Sequence, residues 1–125
     1  MSTASVRTLG YISFYLKRRD EAVAFYRAIF GEPTEVVPEE SRVDWRLGDT
    51  WLTFFPSSED PRNAEFAIEV DRPEEVDRLF TAFIAGGATS CSDPQDTRMY
   101  ERMRYCCLDD PFGIRVDIYH PLGEG

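Results

Sequence analysis

Apolar and polar residues alternate with a period of two from Gly10 to Leu16. Ile12, Phe14 and Leu16 stand against Tyr11, Ser13 and Tyr15. That is the spacing of a strand with one buried face. The period then lengthens. Ala22, Val23, Tyr26, Ile29 and Phe30 fall on one face at helical spacing, so a helix is predicted over Glu21 to Phe30. Gly31 ends it, and Pro33 keeps it from resuming. Val43 to Leu47 and Trp51 to Phe55 read as strands joined by a tight hairpin at Gly48-Asp49-Thr50. The segment from Pro56 to Pro61 is the most linker-like in the chain. Its shortness marks it as a hinge between two units of one domain.

The pattern then restarts. Phe66, Ile68 and Val70 alternate with Glu65, Ala67 and Glu69. Asp71 and Glu74 stand at capping-box spacing before a second helix. Its stripe is Val76, Leu79, Phe80, Phe83 and Ile84, and Gly86-Gly87 closes it. A loop through Pro94 is expected to lead to a strand over Arg102 to Leu108. Asp110-Pro111-Phe112-Gly113 reads as a turn, and Ile114 to Tyr119 as the last strand. Laying Ile12 on Phe66 also lays helix on helix, so the order strand, helix, strands occurs twice. Repeats of about 50 residues can signal propeller blades, but two copies cannot close a propeller.

Parity then separates two faces. In the first strand, the strand opening the second unit and the last strand, even-numbered residues are apolar and should pack on the helices. The odd face carries Tyr11, Ser13, Tyr15, Glu65, Ala67, Glu69, Arg115, Asp117 and Tyr119. Trp51, Thr53 and Phe55 share one face of their own strand. Aromatic walls with a few carboxylates and one arginine suit a small organic ligand.

Composition narrows the partners. The chain has 125 residues, 42% hydrophobic and 30% charged, which is one globular domain. Acidic residues outnumber basic ones 23 to 14, for a net charge of −9. Nucleic acid is therefore not expected as a partner, because binding it needs a basic face. No run approaches the roughly 18 apolar residues of a membrane span, so no membrane association is expected. The first ten residues hold no signal core, and a cytoplasmic protein is expected. Cys91, Cys106 and Cys107 form neither a disulfide framework nor a zinc motif. His120 has even parity and reads as structural or exposed. Arg102 and Arg104 share a face and read as solvated.

Three segments carry a family resemblance. Ala22 to Gly31, AVAFYRAIFG, resembles the "aFYrdvLG" helix of the glyoxalase, bleomycin-resistance and ring-cleaving dioxygenase superfamily, the vicinal-oxygen-chelate proteins. Phe66 to Asp71 resembles the strand opening that family's second module. Asp110 to Ile118, DPFGIRVDI, resembles its closing "DPdGnxiEl" motif, with Phe112 and Ile114 replacing polar residues. Arg18 stands where the family often has Asp. The resemblance implies an α+β fold: two βαβββ modules forming a curved, mostly antiparallel sheet around a cleft, with helices on the outer face. Module one would cover about 7–56 and module two about 64–121 of one domain spanning 1–125. It also implies a homodimer.

The family's four metal-ligand positions fall on Tyr11, on Trp51 or Thr53, on Glu65 and on Asp117. Only Glu65 and Asp117 are good donors for a divalent ion. No cofactor is therefore favoured. The reading adopted is a small-molecule binder, for an aromatic or cationic ligand, using Tyr11, Ser13, Tyr15, Trp51, Thr53, Glu65, Glu69, Arg115, Asp117 and Tyr119. One alternative is a metal-dependent lyase, isomerase or dioxygenase with Glu65 and Asp117 as ligands. Another is a metal-free enzyme with Glu65 or Asp117 as base and Tyr11 as acid.

Overall fold

A computed structural model describes residues 7–123. Residues 1–6, part of the stretch read above for a signal core, lie outside the described residues. β1 (Tyr11–Leu16) leads into α1 (Arg19–Phe30), followed by β2 (Glu35–Val37), β3 (Arg42–Leu47) and β4 (Thr50–Pro56). The order repeats with β5 (Ala64–Glu69), α2 (Pro73–Ala85), β6 (Thr89–Arg98), β7 (Arg102–Asp109) and β8 (Ile114–Pro121). The fold is α+β, with two βαβββ modules. Each module builds its own open four-stranded sheet, ordered β1-β4-β3-β2 and β5-β8-β7-β6. In each sheet the module's first and last strands pair in parallel, and the other pairings are antiparallel. The chain divides into two compact units between Asp60 and Pro61.

The first unit is held by an aromatic core. α1 buries Ala22, Val23 and Tyr26. Tyr26 stacks on Phe30 at 5.5 Å and meets Phe54 edge-on at 5.3 Å. Trp45 packs edge-on against Phe54 at 5.5 Å, and its indole N–H donates to the Gly31 carbonyl at 2.9 Å. A buried indole needs such an acceptor, and this one ties β3 to the end of α1. In the second unit α2 buries Val76, Leu79 and Phe83. Ile114, Val116 and Ile118 of β8 are buried in turn. The even face of β1 and β8 is therefore the core face.

The turn before β8 is built by Asp110. Its Oδ1 accepts from the Phe112 N–H at 2.8 Å and the Ile114 N–H at 2.9 Å. Its own N–H donates to the Ile114 carbonyl at 2.8 Å. Gly113 sits at φ +99°, and a Cβ there would lie 2.8 Å from the Pro61 carbonyl oxygen. The turn therefore requires glycine.

Four local expectations are corrected. The capping box of Asp71 and Glu74 does not form: Arg72 is the cap, without a side-chain bond, and Pro73 opens the helix. Proline's fixed φ suits the first helical position, which moves the start past Asp71. Pro94 lies within the ten-residue strand β6, not in a loop. β6 is an edge strand with register shifts on both sides of Ser92, where a proline costs little. β2 was not anticipated, because three residues show no periodicity. Ile84, assigned to the α2 stripe, is 39% exposed at its margin.

Candidate functional site

The second unit carries an acidic pocket on its open face. Parallel pairing sets Glu65 beside Arg115, Ala67 beside Asp117 and Glu69 beside Tyr119. β7 adds Tyr105 beside Tyr119, Cys107 beside Asp117 and Asp109 beside Arg115. The small Ala67 leaves room next to Asp117. A cavity of about 400 Å³ opens there. Its lining includes the carboxylates Glu65, Glu101 and Asp117, the phenols Tyr100, Tyr105 and Tyr119, and the thioethers Met99 and Met103. Among the described residues no basic one joins that lining.

Asp117 is the centre of this group. The Tyr105 hydroxyl donates to its Oδ1 at 2.8 Å. Burial, and then that bond, hold the phenol above its usual range, so it stays a donor. Hydrogen bonding to Asp117 and repulsion from it raise the Glu65 carboxyl above the usual glutamate range. Arg115 opposes this only weakly. Two carboxyls in contact disfavour ionising together.

Arg115 is occupied elsewhere. It grips Asp109 through Nε at 3.0 Å and an Nη at 3.2 Å. With Asn63, Asp109 and Glu65 it lines a separate cavity of about 350 Å³. Glu69 is exposed and accepts from the Tyr119 hydroxyl at 3.3 Å. His120 Nδ1 lies 2.8 Å from the Val70 carbonyl, joining β8 to the chain leaving β5. Arg104, expected to be solvated, pairs with Asp77 of α2 at 2.8 Å and Asp96 of β6 at 3.2 Å. Asp96 reaches it through the β6–β7 pairing and Asp77 through the packing of α2 on β7, neither of which sequence spacing reveals.

The first unit gathers the other expected residues. Parallel pairing sets Tyr11 beside Trp51, Ser13 beside Thr53 and Tyr15 beside Phe55. All six line a cavity of about 650 Å³. Tyr15 and Phe55 stack at 5.1 Å. Glu35, Glu40 and Arg42 complete the lining. The Arg42 guanidinium is held by Glu35 at 2.8 Å, by Glu40 at 2.9 Å and by Asp44. Asp44 is 1% exposed, and among the described residues its Oδ1 has no hydrogen-bond partner. Burial pushes its carboxyl up, offset in part by the neighbouring Thr53 hydroxyl and Arg42.

Sequence reasoning missed Asp44, Arg42 and Glu35 here, and Tyr105, Met99, Tyr100, Glu101 and Met103 in the second unit. The β3–β4 hairpin held the signal for Asp44. A two-residue loop pairs Leu47 with Thr50 and so sets Asp44 opposite Thr53. The two parallel registers also correspond: Thr53 stands in the first unit where Asp117 stands in the second. Tyr11 and Glu65, the candidate catalytic groups, occupy equivalent positions in different units. Among the described residues no three His, Cys, Asp or Glu side chains form a group able to hold a metal ion. Among them, too, no helix is long and apolar enough to cross a membrane.

A family model described as the Glyoxalase/Bleomycin resistance protein/Dioxygenase superfamily matches residues 8–118. Several solved structures are similar. A glyoxalase/bleomycin resistance protein/dioxygenase family enzyme from Burkholderia phytofirmans PsJN is 22% identical, with a TM-score of 0.75 over 93% of this chain and 100% of that one. Lactoylglutathione lyase from Agrobacterium tumefaciens is 22% identical, with a TM-score of 0.70 over 92% and 94%. Hypothetical protein SA1046 from S. aureus is 16% identical, with a TM-score of 0.74 over 94% and 99%. At these identities the likeness is one of fold. No curated protein matches the chain in sequence.

Proposed function

The chain belongs to the glyoxalase/bleomycin resistance protein/dioxygenase superfamily, and we propose that it is a metal-independent binder of a small cationic, aromatic molecule. The observation that carries this is the second-unit cavity, where, among the described residues, three carboxylates and three tyrosines line one space without a basic residue. A ligand cation would relieve the repulsion between Glu65 and Asp117. Its ring would stack on Tyr100 or Tyr119, and each cation–π contact contributes about 0.5–2 kcal/mol. Tyr105 keeps Asp117 oriented.

The donor set does not suit a resident divalent ion. Of the four family positions, Tyr11 is a phenol and Thr53 a hydroxyl, leaving Glu65 and Asp117. Asp117 already accepts from Tyr105. Open catalytic sites generally keep three protein ligands. Metal analysis of protein purified without chelator tests this, and a stoichiometric ion would overturn it. Three free thiols suit a reducing cytoplasm, and the homodimer implied by the family belongs to the same reading.

Calorimetric titration with basic aromatic compounds and their neutral isosteres tests the binding. We expect saturable binding of the cations only, at least tenfold weaker in Asp117→Asn. Affinity should fall as pH drops through the raised Glu65 value, because the proton then competes with the ligand. Equal affinity for neutral isosteres would sink the proposal.

A second reading rests on the raised Glu65 carboxyl. A carboxylate tuned toward neutrality can act as a general base. Unchanged turnover in Glu65→Gln, for any substrate found, would remove it.

A further inference from the structure

We infer that Cys91 and Cys107 are a redox-modifiable dithiol, which a low-molecular-weight disulfide converts into a cross-strand bridge between β6 and β7. All three cysteines are free. The β6–β7 ladder steps from Ser90 opposite Leu108 to Ser92 opposite Cys107. Cys91 is therefore the extra residue of a bulge, facing the link between Cys107 and Leu108. Bulges re-aim side chains, and this one sets Cys91 beside Cys107, close enough for each thiol to perturb the other. Neighbouring strands lie about 5 Å apart, within the Cα separation of about 4.4–6.8 Å that a disulfide spans. Cys106 is out of reach. It is fully buried and sits on the other face of β7, beside Ile118.

Accessibility assigns the order of events. Cys91 is exposed, and its S–H donates to Asp109 Oδ2 at 3.3 Å. Cys107 is 5% exposed. The Cys91 thiolate attacks one sulfur of the small disulfide, forming a mixed disulfide and expelling one thiolate. The Cys107 thiolate then attacks the Cys91 sulfur, forming the bridge and expelling the second. The two cysteine protons end on the two released thiols. Two electrons pass from the cysteines to the small disulfide. Burial raises the Cys91 thiol, and pushes Cys107 up to about 12. Exchange is therefore slow near neutral pH and accelerates about tenfold per pH unit while both stay mostly protonated.

The site needs no known ligand to be tested. The full chain is incubated with oxidised glutathione, alkylated, and measured by intact mass and non-reducing peptide mapping. We expect a monomer lighter by two hydrogens before alkylation, with Cys91 joined to Cys107 and Cys106 alone alkylated after unfolding. Cys107→Ser should trap the glutathione adduct on Cys91, and Cys91→Ser should gain neither adduct nor bridge. The wild-type peptide map decides the matter if Cys107→Ser does not fold. A persistent glutathione adduct on wild-type Cys91, a Cys91-linked dimer or a bridge to Cys106 overturns the inference. So does an unreacted pair at about pH 9, where the thiolate fraction is higher.

Discussion

Replacing Asp110 by alanine should unfold the turn that launches β8. The side chain is 7% exposed, and one oxygen accepts from two backbone N–H groups at 2.8 and 2.9 Å. Ile114, whose N–H is one of these, is itself 1% exposed. Alanine leaves both donors without that acceptor. Each buried donor left unsatisfied costs about 1–3 kcal/mol, so Asp110→Ala should cost about 2–6 kcal/mol. Asp110→Asn keeps a carbonyl oxygen in place for the two N–H groups and loses the charge assistance. It should cost about half as much. Urea unfolding at neutral pH, with the midpoint shift multiplied by the m-value, gives both numbers. An alanine variant within about 1 kcal/mol of wild type would refute the reasoning. So would an asparagine variant as unstable as alanine, since geometry would then count for nothing.

Gly113→Ala should also destabilise by more than about 1 kcal/mol, because its φ is +99° and the new methyl meets the Pro61 carbonyl oxygen; the same urea assay reads it. Glu65→Gln should raise the melting temperature. The folded protein holds the Glu65 proton more tightly than the unfolded chain does, because Asp117 raises that carboxyl. Its contribution is therefore full below the unfolded value and is lost as pH rises through the folded one. The gap between variant and wild type should be widest near about pH 7 and close toward about pH 4; a variant that melts lower at neutral pH contradicts this. Phe83→Ala should cost about 3–5 kcal/mol, since Phe83, on the inner face of α2, is fully buried, and a loss under about 1 kcal/mol would mean the site collapses freely.

Much of the fold was legible because it depends on local periods. The even residues of β1 and β8 had to be buried somewhere, and the two helical stripes supplied the place. The motif around Asp110 marked the final turn by composition alone. Pro94 misled because a proline inside a strand is normally excluded. It is tolerated here because β6 is an edge strand with a bulge, and edge position is a property of strand order. Asp71 misled because a capping box competes with a proline two residues further on, and proline's fixed dihedral prevailed.

The sequence by itself determined the class, the doubled module and which residues share the open face. All three follow from alternation and repeat, which one chain carries without reference to its partners. Only the tertiary structure decided which open-face charges are free to meet a ligand. Arg115 is taken by Asp109, and Arg42 by Glu35, Glu40 and Asp44. Glu65 and Asp117 are left facing each other beside Tyr105. Charge pairing acts across strands within a few ångströms, and strand order with register sets those distances.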